Sequence, residues 1–123
     1  MGQSYLESSL ASACPSFASH WAAIRRTYPS EAPPTAVDFL GHLRAHAHHM
    51  LSEGRVAELT RLFYAVERLL TGADPLLEEL LALHLVAPLA IDCRESALDP
   101  RLVLPHLGPH SRAAWERGLA RGS

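Results

Sequence analysis

Four histidines on one short stretch are the first residues in this chain whose types and spacing suggest chemistry. Asp38, His42, His46 and His49 fall at i, i+4, i+8 and i+11, with His48 between them. That spacing puts side chains on one side of a helix. Two imidazoles four residues apart can share a divalent ion, and an aspartate oxygen can serve as a further donor. Residues eight apart, however, are separated by about 12 Å along a helix axis. One ion cannot take the whole row, so a metal centre here needs a ligand from another helix. No HExxH, paired cysteines or second histidine pair at matching spacing is present to supply it. The expectation is a solvated, histidine-rich helix face, and no cofactor is implied. A metal site at Asp38, His42, His46 and His49 is one alternative. A contact surface that gains charge near neutrality is the other.

Acidic residues form the second candidate. Between Gly72 and Asp99 the acids are Asp74, Glu78, Glu79, Asp92, Glu95 and Asp99, against Arg94 alone. Beyond them Arg101, Arg112, Arg117 and Arg121 face only Glu116. Asp74 and Asp99 each precede a proline and read as helix caps. Glu78, Glu79, Asp92 and Glu95 are left as a partner-binding surface able to steer a basic protein before contact. Glu67 falls between the apolar positions Phe63 and Leu70. It reads as a structural group in a helix-end hydrogen bond or an ion pair, with Arg94 or Arg101 as partner. No catalytic residue is legible. The serines Ser4, Ser8, Ser9 and Ser12 lack a GxSxG turn, and there is no glycine-rich phosphate loop.

These residues must be positioned by helices. Sustained period-two alternation is absent, and proline or glycine separates one helical stripe from the next. Tyr5, Leu6, Leu10 and Ala13 precede Cys14-Pro15, and Phe17, Trp21 and Ile24 precede Tyr28-Pro29. Thr35 reads as an N-cap with Asp38 as its reciprocal acid, opening a helix that buries Leu40, Leu43, Ala47, Met50 and Leu51. Val56, Leu59, Leu62, Phe63, Val66, Leu69 and Leu70 make the clearest amphipathic helix, with Gly72 placed for a left-handed cap. Asp74-Pro75 starts a helix to about Leu89 that is apolar nearly all round and belongs at the centre of a bundle. Asp99-Pro100 starts a short helix through Leu107, and Ser111 begins a last one carrying Trp115 and Leu119. The fold class is all-α: a compact bundle of five to seven short antiparallel helices, forming a single domain over 1–123.

Composition agrees. A chain of 123 residues with 48% hydrophobic and 20% charged residues has enough apolar content for a real core. A formal charge of −2 argues against a nucleic-acid partner. Cys14 and Cys93 form no metal-binding pattern and read as small buried hydrophobes. All basic residues are arginine, as expected of a GC-rich bacterial genome. The polar start carries Glu7 and does not read as a signal peptide, and the run Leu80–Ile91 is too short for a bilayer. The expected location is the cytoplasm, without membrane contact.

Three stretches carry a resemblance. They are Cys14-Pro15-Ser16-Phe17 with Trp21; Leu62 to Leu81 with Phe63, Val66, Glu67, Leu69, Leu70, Gly72, Asp74 and Leu77; and Leu107-Gly108-Pro109 with Ser111 and Trp115. In order and spacing, from about residue 5 to 120, they resemble a family of small bacterial all-helical domains of largely uncharacterised function. Its members look like immunity proteins that block toxins by binding them. The resemblance implies a non-enzymatic binding protein whose partner is a cognate toxin or effector, and it carries over no catalytic residues. A module that homodimerises through leucines of Pro75 to Leu89 is the alternative.

Overall fold

Short-range chemistry sets several helix starts in the structure, a computed structural model that describes residues 3–72 and 74–121. Residues 1, 2, 73, 122 and 123, which complete the expected 1–123 domain, lie outside the described ones. The helices are α1 (Gln3–Ala13), α2 (Pro15–Arg25), α3 (Ala36–Ser52), α4 (Val56–Leu70), α5 (Pro75–Leu81), α6 (Ala87–Glu95) and α7 (Pro109–Arg121). Among the described residues there is no strand, so the fold is all-α as predicted.

Thr35 and Asp38 close the expected capping box. The Asp38 N–H donates to Thr35 Oγ1 at 3.2 Å and the Thr35 N–H to Asp38 Oδ2 at 2.8 Å. Asp74 Oδ1 accepts from the N–H groups of Leu76 and Leu77 at the start of α5. At the other end of α3, Gly54 takes φ 71°, while the Arg55 N–H reaches back to Met50 O and the Gly54 N–H to Leu51 O. This is the paired closure that a left-handed residue after a helix permits. The left-handed cap expected at Gly72 is not formed; Gly54 carries that conformation instead. Ala97 takes the corresponding place after α6 with φ 57° and the same two bonds, to Cys93 O and Arg94 O.

Five further expectations need correction. The helix begun at Pro75 does not stop near Leu89: a π-turn over Ala82–Val86 joins α5 to α6 and carries it to Glu95. The Ala87 N–H donates five residues back to Ala82 O, one residue before Pro88. A proline has no N–H and crowds the carbonyl four residues back, and the wider turn relieves both constraints. Nor is that helix buried all round, since Leu76 is 67% exposed. Asp99-Pro100 opens two 3₁₀ turns, Pro100–Leu102 and Leu104–His106, in place of one helix through Leu107. Finally Val56 and Tyr5, counted among the apolar stripes, are exposed, and α7 begins at Pro109, two residues before Ser111.

The core gathers Leu6 and Leu10 of α1, Phe17 of α2, Phe39, Leu40 and Leu43 of α3, and Leu59, Leu62 and Phe63 of α4. Trp21 stacks on Phe17 and meets Phe39 edge-on with ring centroids 5.2 Å apart. Its Nε1 donates to Glu7 at 3.2 Å, so the buried indole keeps its polar atom satisfied. Helix α4 packs on α1, α3, α5 and α7. That central placement lets its two glutamates reach the starts of two other helices.

Candidate functional site

The histidine row is divided among separate partners. Asp38 is occupied by the cap: the backbone and hydroxyl bonds from Thr35 hold its carboxyl below the usual range. His42 Nε2 lies 3.1 Å from Tyr28 Oη, and His49 Nε2 lies 3.3 Å from Glu53 in the next turn. His48 Nε2 meets Ser96 Oγ at 2.8 Å. Among the described residues, His46 is the member of the row that joins a thiol and a carboxylate from other helices.

That convergence is built at the start of α2. Cys14 is the N-cap residue and makes no side-chain cap bond, Pro15 supplies the first helical position without an N–H, and Ser16 follows. The cap comes from 42 residues away: the Ser16 N–H donates to Glu58 Oε1 at 2.9 Å, and its hydroxyl donates to Glu58 Oε2. A carboxylate at a helix N-terminus satisfies orphan donors and the helix dipole together. His46 Nε2 is 2.9 Å from Ser16 Oγ, Cys14 Sγ is 4.0 Å from it, and Arg55 lies 3.7 Å from Glu58. The Ser16 bonds hold the Glu58 carboxyl below its usual range, against a smaller opposing push from burial. Burial, with the nearby His20, lowers His46, and burial raises the Cys14 thiol.

The order of these groups decides their chemistry. In a serine hydrolase the acid orients the histidine and the histidine takes the serine proton. Here the acid holds the serine directly, and the hydroxyl proton is committed to Glu58. The cluster is therefore not an acyl-transfer triad. It does bring Cys14 Sγ, His46 Nε2 or Nδ1 and a Glu58 oxygen within 4.8 Å of one another.

Glu67, on the same helix, caps α7. Its Oε1 accepts from the Ser111 N–H and hydroxyl, both at 2.9 Å, and its Oε2 from His110 N–H at 3.1 Å and Nδ1 at 2.8 Å. Burial pushes the carboxyl up, but the bonds from Ser111 and His110 outweigh it and hold it low. Of the two readings offered for Glu67, the helix-end hydrogen bond is the one formed. Neither Arg94 nor Arg101 is its partner: Arg94 donates to Leu119 O, and Arg101 pairs with Asp99.

The four acids expected to bind a partner sit on α5 and α6 in different surroundings. Glu78 and Glu79 are exposed and line a shallow groove with Leu83 of the π-turn and Arg117 and Arg121 of α7. Asp92 lies 3.1 Å from Arg44 Nε of α3, an ion pair outside hydrogen-bond alignment. Glu95 is exposed in the last turn of α6. The acidic and basic segments, far apart in charge, thus meet across this groove. Arg117 and Arg121 were not singled out with the acids, and their opposite charge was the signal that could have paired them. Cys93 lines a second, more apolar groove with Leu98, Leu104, Trp115 and Leu119. Burial pushes its thiol up to about 11, which leaves it an inert core group.

No helix among the described residues is long and apolar enough to cross a membrane. A family described as a domain of unknown function, DUF7674, matches residues 8–121, and the chain belongs to it. No curated protein and no solved structure matches the chain.

Proposed function

We propose that this member of the DUF7674 family is a non-enzymatic, immunity-like binding protein of the bacterial cytoplasm that occludes a cognate toxin or effector. The observation that carries the contact reading is the outer side of α5 and its π-turn. There Leu76 and Leu83 are exposed on either side of the Glu78–Glu79 pair. Apolar anchors beside charges that set register are the ingredients of a specific docking surface. Glu95, further along the same continuous helix, extends its negative charge, while Asp92 is paired with Arg44. The toxin reading rests on the resemblance carried by the Cys14, Glu67 and Gly108 stretches.

The test starts at the neighbouring gene, where a large secreted protein with a variable C-terminal domain is expected immediately upstream. Co-expression of this chain should relieve growth arrest by that domain. The Glu78→Arg/Glu79→Arg variant, folded by circular dichroism, should bind more weakly by about 1 kcal/mol or more per charge and protect poorly. An isolated gene, or full protection by the double variant, overturns the reading. The exposure of Leu76 also favours a second reading, a homodimer formed through α5. Sedimentation equilibrium of the wild type and of Leu76→Arg separates the two, since only a dimer built on α5 dissociates in the variant.

A further inference from the structure

We infer that Cys14, His46 and Glu58 form a binding site for a divalent transition-metal ion of the zinc class. Three different helical segments deliver one sulfur, one imidazole nitrogen and one carboxylate oxygen to a single place: Cys14 as the N-cap of α2, His46 from the middle of α3, and Glu58 from the first turn of α4. Their donor atoms lie within 4.8 Å of one another. In a tetrahedral zinc site, with ligand bonds of about 2.0–2.3 Å, donors stand about 3.3–3.8 Å apart. Rotamer-scale movements of about 1 Å close the set around an ion. Cysteine and histidine select zinc, cobalt or nickel over magnesium and calcium, which prefer oxygen donors only. A thiolate and a carboxylate together balance the ion's two positive charges beside the positive end of α2.

The helix cap alone does not account for this set. Capping α2 needs Glu58 and Ser16. The Glu67 cap of α7 is complete with His110 and Ser111, both supplied by the capped helix itself. At the Glu58 end a thiol that caps nothing and an imidazole from a third helix are added. Three protein ligands leave a fourth position for water or for the exposed His20, whose ring is stacked on that of His46 with centroids 5.9 Å apart.

The test is titration of the purified full chain, under reducing conditions, with zinc by calorimetry and with cobalt(II) by absorption. One equivalent of zinc should bind with micromolar or tighter affinity, and calcium and magnesium should give no heat. The cobalt form should show d–d bands of tetrahedral intensity and a sulfur-to-cobalt charge-transfer band. Cys14→Ser should abolish that band, and Cys14→Ser and His46→Gln should each weaken zinc binding by more than about a hundredfold, beyond the loss typical of an outer-shell change. Both variants leave the Glu58 cap in place, so folding is preserved even if Glu58→Gln is too unstable to study. His42→Gln/His49→Gln should bind as the wild type does. Absence of zinc heat, a cobalt spectrum without the sulfur band, or zinc binding lost in His42→Gln/His49→Gln and kept in Cys14→Ser overturns the site.

Discussion

The two glutamates of α4, Glu58 and Glu67, do the same structural task at the two ends of one helix, with different surroundings. Nine residues, about 14 Å of helix, separate them. Each reaches to the start of a helix that begins with proline, Pro15 of α2 or Pro109 of α7, and each accepts from a serine one or two residues on. Proline there fixes φ and removes a donor that a helix start cannot satisfy, and the glutamate takes the next ones. At the Glu67 end the carboxylate takes four bonds, and a Cβ on Gly108 would lie 2.5 Å from its Cγ and 2.6 Å from Oε1. That end is closed around its carboxylate. At the Glu58 end the same carboxylate chemistry is surrounded by Cys14, His46 and Arg55. The difference teaches that capping explains the glutamate and the serine in both places and the imidazole of His110 at one, but not the thiol of Cys14 or the imidazole of His46 at the other.

Removing the caps separates the two ends most strongly. Glu67→Ala strips four bonds from the start of α7 and should cost about 3 kcal/mol in urea unfolding; Glu58→Ala in metal-free protein should cost about 2 kcal/mol. An equal or reversed order would break the contrast. If the Glu58 end holds zinc, a hundredfold excess over Kd should then add about 2.7 kcal/mol of stability. The gain should vanish in Cys14→Ser and survive in Glu67→Gln. Gly108→Ala should cost about 2 kcal/mol by displacing Glu67. In the Glu67→Ala background most of that cost should disappear, a coupling that a double-mutant cycle measures.

Acidification gives the smallest effect and still tells the ends apart. The folded state lowers His46 below its free value of 6.5, so the unfolded chain takes up the proton more readily. Stability is therefore lost as pH falls below 6.5, and the loss continues through the folded value. Both glutamates are held below the free value of 4.5, so their contribution is present above 4.5 and lost as pH falls through their folded values. Between pH 7 and 5 the His46→Gln variant should lose less stability than the wild type. Below pH 4.5, Glu58→Gln and Glu67→Gln should each flatten the remaining slope. Denaturant midpoints across pH would show both, and a His46→Gln curve parallel to the wild type from pH 7 to 5 would remove the first.

Features made by neighbours in sequence were legible. The Thr35–Asp38 box and the Asp74-Pro75 start depend on residues two or three apart, and the buried stripe from Leu59 to Leu70 on a period of 3.6. Its first member, Val56, is the first residue of the helix and is exposed. Histidine spacing placed the row on one helix, but a row four apart along an axis spreads its members over different neighbours. Glu67 was recognised as a structural group, yet its partner lies 44 residues away and no spacing rule selects it. Glu58, Ser16 and Cys14 were not joined for the same reason. The acidic segment was legible as charge, but the packing of α7 placed Arg117 and Arg121 beside Glu78 and Glu79.

By itself the sequence determined that this chain is helical, where most of its helices begin, and which faces are apolar. Those properties follow from hydrogen bonds and side-chain contacts that close within one turn. Which helix end each glutamate of α4 reaches, and that a thiol, an imidazole and a carboxylate share one place, was decided only by tertiary structure. Such convergence depends on how three helices cross, and the crossing is set by burial of the whole core, Phe17 and Phe39 included, with no local signal for the polar groups carried along with it.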